Sequence, residues 1–223
     1  MKDSLLLQAI IKFMSGMILV GLLLFLPAGT IAFFHGWLLM ALLFVPMFFG
    51  GLVMSWKAPE LLRRRLQAKE AEGEQRTVIM LSGIMFLAGF VLAGLRVRLC
   101  WSELPAWVVL SASLLFLVGY GLFAFVLKQN AYLSRTIRVE DGQTVVDTGL
   151  YGIVRHPMYT ATLLMFLAMP LILNSWQALL VFLIYPLLIV KRIRNEEVVL
   201  CRELEGYEAY RRKVKYRLIP FLW

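Results

Sequence analysis

Charge is scarce in this chain, and histidine and cysteine are scarcer still. Asp, Glu, Lys and Arg supply only 17% of the 223 residues, while 61% are hydrophobic. With a mean hydropathy of +0.77 the chain is far more apolar than the filling of a soluble core requires. A water-soluble fold is thereby excluded, and lipid is the solvent. The apolar runs lack the period-two alternation of a membrane barrel, so their backbone polar groups must be satisfied within helices. Only His35 and His156, and only Cys100 and Cys201, occur. The topology derived below separates the members of each pair across the membrane, which argues against an intrachain disulfide and against a His/Cys metal site. Neither an internal repeat nor a low-complexity stretch is present. The net charge of +9 does not mark a nucleic-acid binder, because Lys and Arg fall in the connections between apolar runs and not on one basic domain.

Six apolar runs are legible. Residues 13–34 and 37–56 form a hairpin turning at His35-Gly36, with Lys12 placed to snorkel at its start. A cleaved signal peptide is the alternative reading of the first run, but Lys2 and Asp3 cancel and no clear Ala-x-Ala site follows. Residues 57–77 turn polar, with Arg63, Arg64, Arg65, Lys69 and Arg76 interleaved with Glu60, Glu70, Glu72 and Glu74, and read as a solvated inner loop, helical in part. Residues 78–95 and 106–127 are the third and fourth spans. The runs 159–173 and 176–190, joined by Asn174-Ser175, are each shorter than the about 20 residues of a full crossing and predict a recessed helical hairpin. Basic loops alternate, so the positive-inside rule places both termini, the 57–77 loop and the 128–158 loop in the cytoplasm. Within the last of these, Glu140-Asp141-Gly142 lies between the β-prone residues 136–139 and 143–146, a hairpin signal. From Arg194 onward, Leu200, Leu204, Tyr207 and Val214 recur at helical spacing beside Arg211, Arg212, Lys213 and Lys215, predicting one amphipathic interfacial helix.

The expected fold class is therefore all-α: a polytopic integral membrane helical bundle of about six transmembrane helices, the last two a short helical hairpin. A cytoplasmic loop and the C-terminal amphipathic helix complete it. Residues 1–223 read as a single membrane domain, with a four-span part at 1–127 and a chemistry-bearing part at 128–223.

Two clusters can carry chemistry. The first packs Thr148, Gly149, Tyr151, Gly152, Arg155, His156, Pro157, Met158 and Tyr159 directly before an apolar run. Pro157 suits the first position of the following helix, which places Arg155 and His156 at that helix's positive end as a carboxylate or phosphate site. The same residues also fit plain interfacial anchors and an aromatic belt. The second cluster is Lys191, Arg192, Arg194, Glu196 and Glu197. Arg192 and Glu196 fall four residues apart at the membrane boundary. They read either as a surface ion pair or as a substrate-anion holder and a cofactor-facing carboxylate.

In this order and separation the two clusters resemble the C-terminal half of the isoprenylcysteine carboxyl methyltransferase family, within the wider group of membrane methyltransferases that includes phospholipid methyltransferases. The resemblance rests on Gly149, Tyr151, Arg155-His156-Pro157 and Tyr159, then Glu196-Glu197, Leu200, Tyr207, Tyr210, Val214 and Ile219-Pro220, over roughly residues 136–220. Ala58-Pro59-Glu60-Leu61-Leu62, followed by three Arg, also looks like the inner loop of bacterial members. Ala161 departs from the family's usual Gly. The resemblance implies S-adenosylmethionine held by a pre-span loop and the C-terminal helix, unlike soluble Rossmann methyltransferases. By position it implies cofactor contacts at Gln143, Thr144, Val145, Val146, Tyr151, His156, Pro157, Met158, Tyr159 and Glu196, and a substrate contact at Arg192, with Arg192 and Glu196 the catalytic pair. The partners it implies are the lipid bilayer and a lipophilic acceptor of prenylcysteine, isoprenoid or phospholipid class, with no nucleic acid and no metal. Two rivals stand beside it. Membrane sterol reductases carry a similar Arg-His-Pro signature and use NADPH, and a non-enzymatic membrane protein can retain the fold.

Overall fold

The computed structural model describes residues 2–66, 73–133, 139 and 142–223. Among these the regular structure is helical: α1 Lys2–Ala28, α2 Phe34–Lys57, α3 Pro59–Leu66, α4 Gly73–Arg98, α5 Ala106–Gln129, α6 Pro157–Ile172, α7 Trp176–Phe182, α8 Tyr185–Glu203 and α9 Tyr207–Lys213. Five segments are long and apolar enough to cross a membrane: Leu5–Ala28, Phe34–Lys57, Gln75–Arg98, Ala106–Gln129 and Trp176–Glu203. The shorter apolar helix Pro157–Ile172 lies among them. The chain is thus a multi-pass integral membrane protein. Its outward face carries the exposed Leu, Ile, Phe and Trp side chains that lipid solvates, such as Ile18, Leu22, Phe49, Trp56 and Leu110.

Three boundaries differ from the sequence reading. α1 starts well before residue 13 and stops at Ala28, where Thr30 Oγ1 accepts the Ala32 N–H at 3.0 Å and turns the chain. Lys12, near the start of this span, donates its ammonium to the Leu66 carbonyl at the end of α3. The second arm of the expected short hairpin is not short. α7 and α8 together make a 28-residue segment that is long and apolar enough to cross a membrane, interrupted only at residues 183–184, just before Pro186, whose missing N–H and ring disfavour an unbroken helix. The predicted single C-terminal helix is two. α8 ends at Glu203, and Gly206, at φ +82°, turns the chain into α9.

Interior packing draws the N-terminal spans around α6. Phe86 of α4 meets Phe166 of α6 edge-on at 4.9 Å and Phe182 of α7 at 5.4 Å, tying three helices together with aromatic rings. α5 packs closely on α6 at Gly119, where a methyl group would sit 2.8 Å from Met165 Cγ and 3.1 Å from the Ala161 carbonyl oxygen. At one end of α6, Asn174 Oδ1 accepts the Leu104 N–H at 2.6 Å and Ser175 caps α7. The opposite end of α6 opens into the region that carries both chemistry-bearing clusters.

Candidate active site

The loop before α6 is built around one glycine. Gly149 has φ +58°, and a methyl group there would lie 1.8 Å from the Gln129 side-chain nitrogen. Gln129 in turn accepts the Leu150 N–H at 3.2 Å, fastening the loop to the end of α5. The 3-10 turn Gly149–Gly152 then buries Tyr151. Its hydroxyl accepts from Asn130 Nδ2 at 3.2 Å, and its carbonyl accepts from the Tyr210 hydroxyl at 2.8 Å. His156 is the N-cap of α6 and Pro157 its first residue, as the Arg-His-Pro spacing predicts.

Arg155 corrects the expected anion site. Its Nε donates to Glu197 Oε1 at 2.7 Å, and its Nη1 donates to the carbonyls of Val214 and Lys215 at 2.7 and 2.9 Å. Glu197 Oε2 accepts from Arg217 Nε at 2.9 Å. The backbone N–H groups of Arg155 and His156 donate to the carbonyls of Tyr216 and Arg217. This guanidinium therefore staples the C-terminal segment and α8 to the start of α6. With both sides of the Arg155–Glu197 pair buried, its geometry and added hydrogen bonds offset the desolvation of two charges. Arg155 is thus not a bare interfacial anchor: it lines the cleft with its Nε and Nη1 already taken by Glu197 and two backbone carbonyls.

The neighbouring glutamate has a different role. Glu196 Oε2 accepts from the Tyr159 hydroxyl at 2.5 Å, and the same hydroxyl accepts from Arg192 Nε at 2.8 Å. His156 stacks beside Tyr159, its Nδ1 3.9 Å from Glu196 and its Nε2 3.4 Å from Glu197. Arg192 and Glu196 thus face inward over a phenol, which sets aside the reading of them as a surface ion pair.

These groups line one cleft. Of the residues expected to meet a cofactor or substrate, Gln143, Thr144, Val145, Val146, Tyr151, His156, Met158, Tyr159, Arg192 and Glu196 all face it. Pro157 is buried in the start of α6 and is not among the lining residues. Asn130, Tyr132, Leu133, Tyr207 and Tyr210 also line the cleft and were not expected there. For Tyr207 and Tyr210 the signal was present among the C-terminal residues that carry the family resemblance. For Asn130 nothing in the sequence pointed to it. The helix α3 reaches the same region: Arg65 Nη1 lies 3.7 Å from Met158 Sδ, and Arg64 donates to the Ala131 carbonyl at 2.7 Å. Burial pushes the phenols of Tyr151, Tyr207 and Tyr210 up, so this wall stays uncharged.

The segment expected as a β-hairpin contributes differently. Residues 136–138, 140 and 141 lie outside the described residues, and 143–146 form no strand. They run along the cleft, held where Asp147 accepts from Lys213 Nζ of α9 at 2.7 Å.

Residues 109–202, from within α5 almost to the end of α8, match the family model described as the isoprenylcysteine carboxyl methyltransferase (ICMT) family. The chain is also 31% identical over 91 residues to a Delta(14)-sterol reductase of Mus musculus. That match covers 40% of this chain and only 22% of the reductase. The segment similar to that family contains the α6 start, Arg192, Glu196 and Glu197, so the part of the chain that carries the family likeness is the part that builds the cleft.

Proposed function

We propose that the cleft binds S-adenosylmethionine and that the protein transfers its methyl group to a lipophilic acceptor at the cytoplasmic face of the membrane. The observation that carries this reading is the convergence of Arg192, Tyr159 and Glu196 on one hydroxyl at the wall of the cleft that residues 143–146 also line. The basic loops around this end of the bundle support its cytoplasmic placement.

The lining fits a molecule that is zwitterionic at one end and a flat heterocycle at the other. His156, Arg192 and Glu196 supply charge, while Leu133, Val145 and Val146 supply an apolar wall with the Asn130 and Gln143 amides beside it. His156 and the start of α6 would hold the carboxylate, and Glu196 the amino or ribose groups. When bound, the cofactor supplies an electrophilic methyl group. What the chain contributes is position: methyl transfer is an in-line displacement whose rate depends on holding nucleophile and methyl in near-attack geometry. Arg192, fixed by Tyr159, orients the acceptor's anion. A prenylcysteine-type α-carboxylate, with a reference pKa of about 3.3–3.7, is already ionised at neutral pH and needs no general base. The most fitting acceptor is therefore a carboxylate borne on an isoprenoid-modified cysteine.

A nicotinamide-dependent reductase is the second reading, favoured by the 31% identity to the mouse sterol reductase through this same region. Calorimetric titration of the purified protein in nanodiscs with S-adenosylhomocysteine, and separately with NADPH, distinguishes the two. Methyl transfer predicts saturable binding of the first alone. Binding of NADPH alone moves the protein to the reductases, and binding of neither supports a non-enzymatic role.

A further inference from the structure

One phenol in the cleft has nothing to bind. Tyr207, the first residue of α9, is 4% exposed and lines the cleft, and its hydroxyl has no hydrogen-bond partner among the described residues. The contrast with its neighbours is sharp. The Tyr151, Tyr159 and Tyr210 hydroxyls, all on the same wall, each have a partner. A buried hydroxyl left unsatisfied carries its desolvation penalty uncompensated, and such groups are few in native interiors, each calling for an explanation. Phenylalanine would fill the same volume at no such cost, so the oxygen is the feature that calls for an explanation.

Position sharpens the point. Gly206, at φ +82°, sets the first turn of α9 against Val145, whose Cγ2 would lie 3.9 Å from a methyl at that glycine. Tyr207 packs on Tyr210 with ring centroids 5.6 Å apart and joins Leu204 and Val214 in a small apolar cluster that also contacts Val145 and Leu200. The ring is thus fixed by packing. The charges that act on it are Glu197 and Glu196 on α8 and Arg155 before α6, with Tyr210 beside it. The acidic members of this surround, Glu196 and Glu197, favour a ligand group that carries its own protons, a hydroxyl or an ammonium, although Arg155 and Arg217 already pair with Glu197. A phenol can accept from either and donate onward.

We infer that Tyr207 is a ligand-binding residue, its hydroxyl completing its hydrogen bonds on a hydroxyl or ammonium group of the adenosyl cofactor, on the same side of the cleft as Glu196. This rests on the methyl-transfer reading for the identity of the ligand.

The test is Tyr207→Phe, compared with wild type by thermal unfolding and by titration with S-adenosylhomocysteine and with 5′-methylthioadenosine, which keeps the ribose and lacks the aminoacyl group. A ligand contact predicts unchanged or higher thermal stability without ligand, with affinity for S-adenosylhomocysteine weakened about three- to tenfold. Loss confined to that ligand assigns the ammonium, and loss shared by both ligands assigns the ribose. Either supports the inference. Unchanged affinity for both overturns it, as does a fall in ligand-free stability with affinity retained, which is the signature of a structural hydroxyl. If wild type binds NADPH and not S-adenosylhomocysteine, the methyl-transfer reading fails by itself, and the same comparison is made on NADPH. If wild type binds neither, both proposals fall.

Discussion

Arg192 and Glu196, one turn apart on α8, meet on a single oxygen of a different helix, the Tyr159 hydroxyl, which accepts from one and donates to the other. The phenol therefore fixes two side chains that the proposed reaction assigns to different partners, acceptor and cofactor. Tyr159→Phe removes both bonds while keeping the ring. Loss of a hydrogen bond to a charged group is worth about 1.5–3 kcal/mol, so turnover should fall about 10- to 100-fold with the protein still folded. Single-turnover methyl transfer at saturating cofactor measures this, and wild-type turnover in the variant would show that the relay is incidental.

Adjacent glutamates should behave oppositely. Glu197→Gln strands the buried Arg155 and weakens the attachment of Arg217, a change expected to cost about 3–5 kcal/mol. Its melting temperature should drop sharply and its yield with it. Glu196→Gln should leave the melting temperature near that of wild type and abolish high-affinity binding of S-adenosylhomocysteine, as should His156→Ala. Equal thermal losses at positions 196 and 197 would sink this division of labour.

Arg192→Ala separates acceptor from cofactor. On the proposed roles it leaves S-adenosylhomocysteine affinity within about threefold of wild type, a change of well under 1 kcal/mol, and impairs turnover. Calorimetry paired with a methylation assay reads the two effects apart, and a parallel collapse of cofactor affinity would reassign Arg192 to the cofactor.

The Asp147–Lys213 pair pins residues 143–146 along the cleft and gives a pH signature. The hydrogen bond from Lys213, together with its charge, holds the Asp147 carboxyl below its ordinary range. A depressed carboxylate stabilises the fold above its unfolded pKa and loses that contribution as pH falls through the folded value. Asp147→Asn should therefore melt slightly below wild type at neutral pH, and the two curves should converge in acid. Because the pair is exposed, the neutral-pH gap should shrink with added salt.

Gly149→Ala tests the loop's foundation. Both the positive φ and the 1.8 Å approach of Gln129 oppose a side chain, and a destabilisation of about 1–3 kcal/mol is expected. Pairing it with Gln129→Ala should relieve the collision and leave the backbone strain, so only partial recovery of the melting temperature is expected.

What the sequence made legible was what local chemistry decides. Apolar runs revealed the spans, and Pro157 after His156 revealed where α6 begins, because proline at the first helical position carries its meaning within two residues. Arg155 was misread because its partners lie 42 to 60 residues away, and a guanidinium before a helix looks the same whether it awaits a ligand or already holds a glutamate. The charged run after Lys191 suggested a helix lying at the interface. It instead forms the second half of α8, with Glu196 and Glu197 directed inward to Tyr159 and Arg155.

α6 has one more consequence. Its 16 residues span about 24 Å at about 1.5 Å per residue, against a hydrocarbon layer of about 30 Å. Protein packs around this helix, so the deficit need not be met by thinning the membrane. Folded polypeptide meets it: the Asn174 turn closes one end, and the 214–218 segment with its Arg155–Glu197 clasp closes the other. The short helix acts as a ruler for depth. On the proposed function, a site set at that depth would let an acceptor anchored by its hydrocarbon tail present its reactive end to the Tyr159 wall without being lifted out of the bilayer.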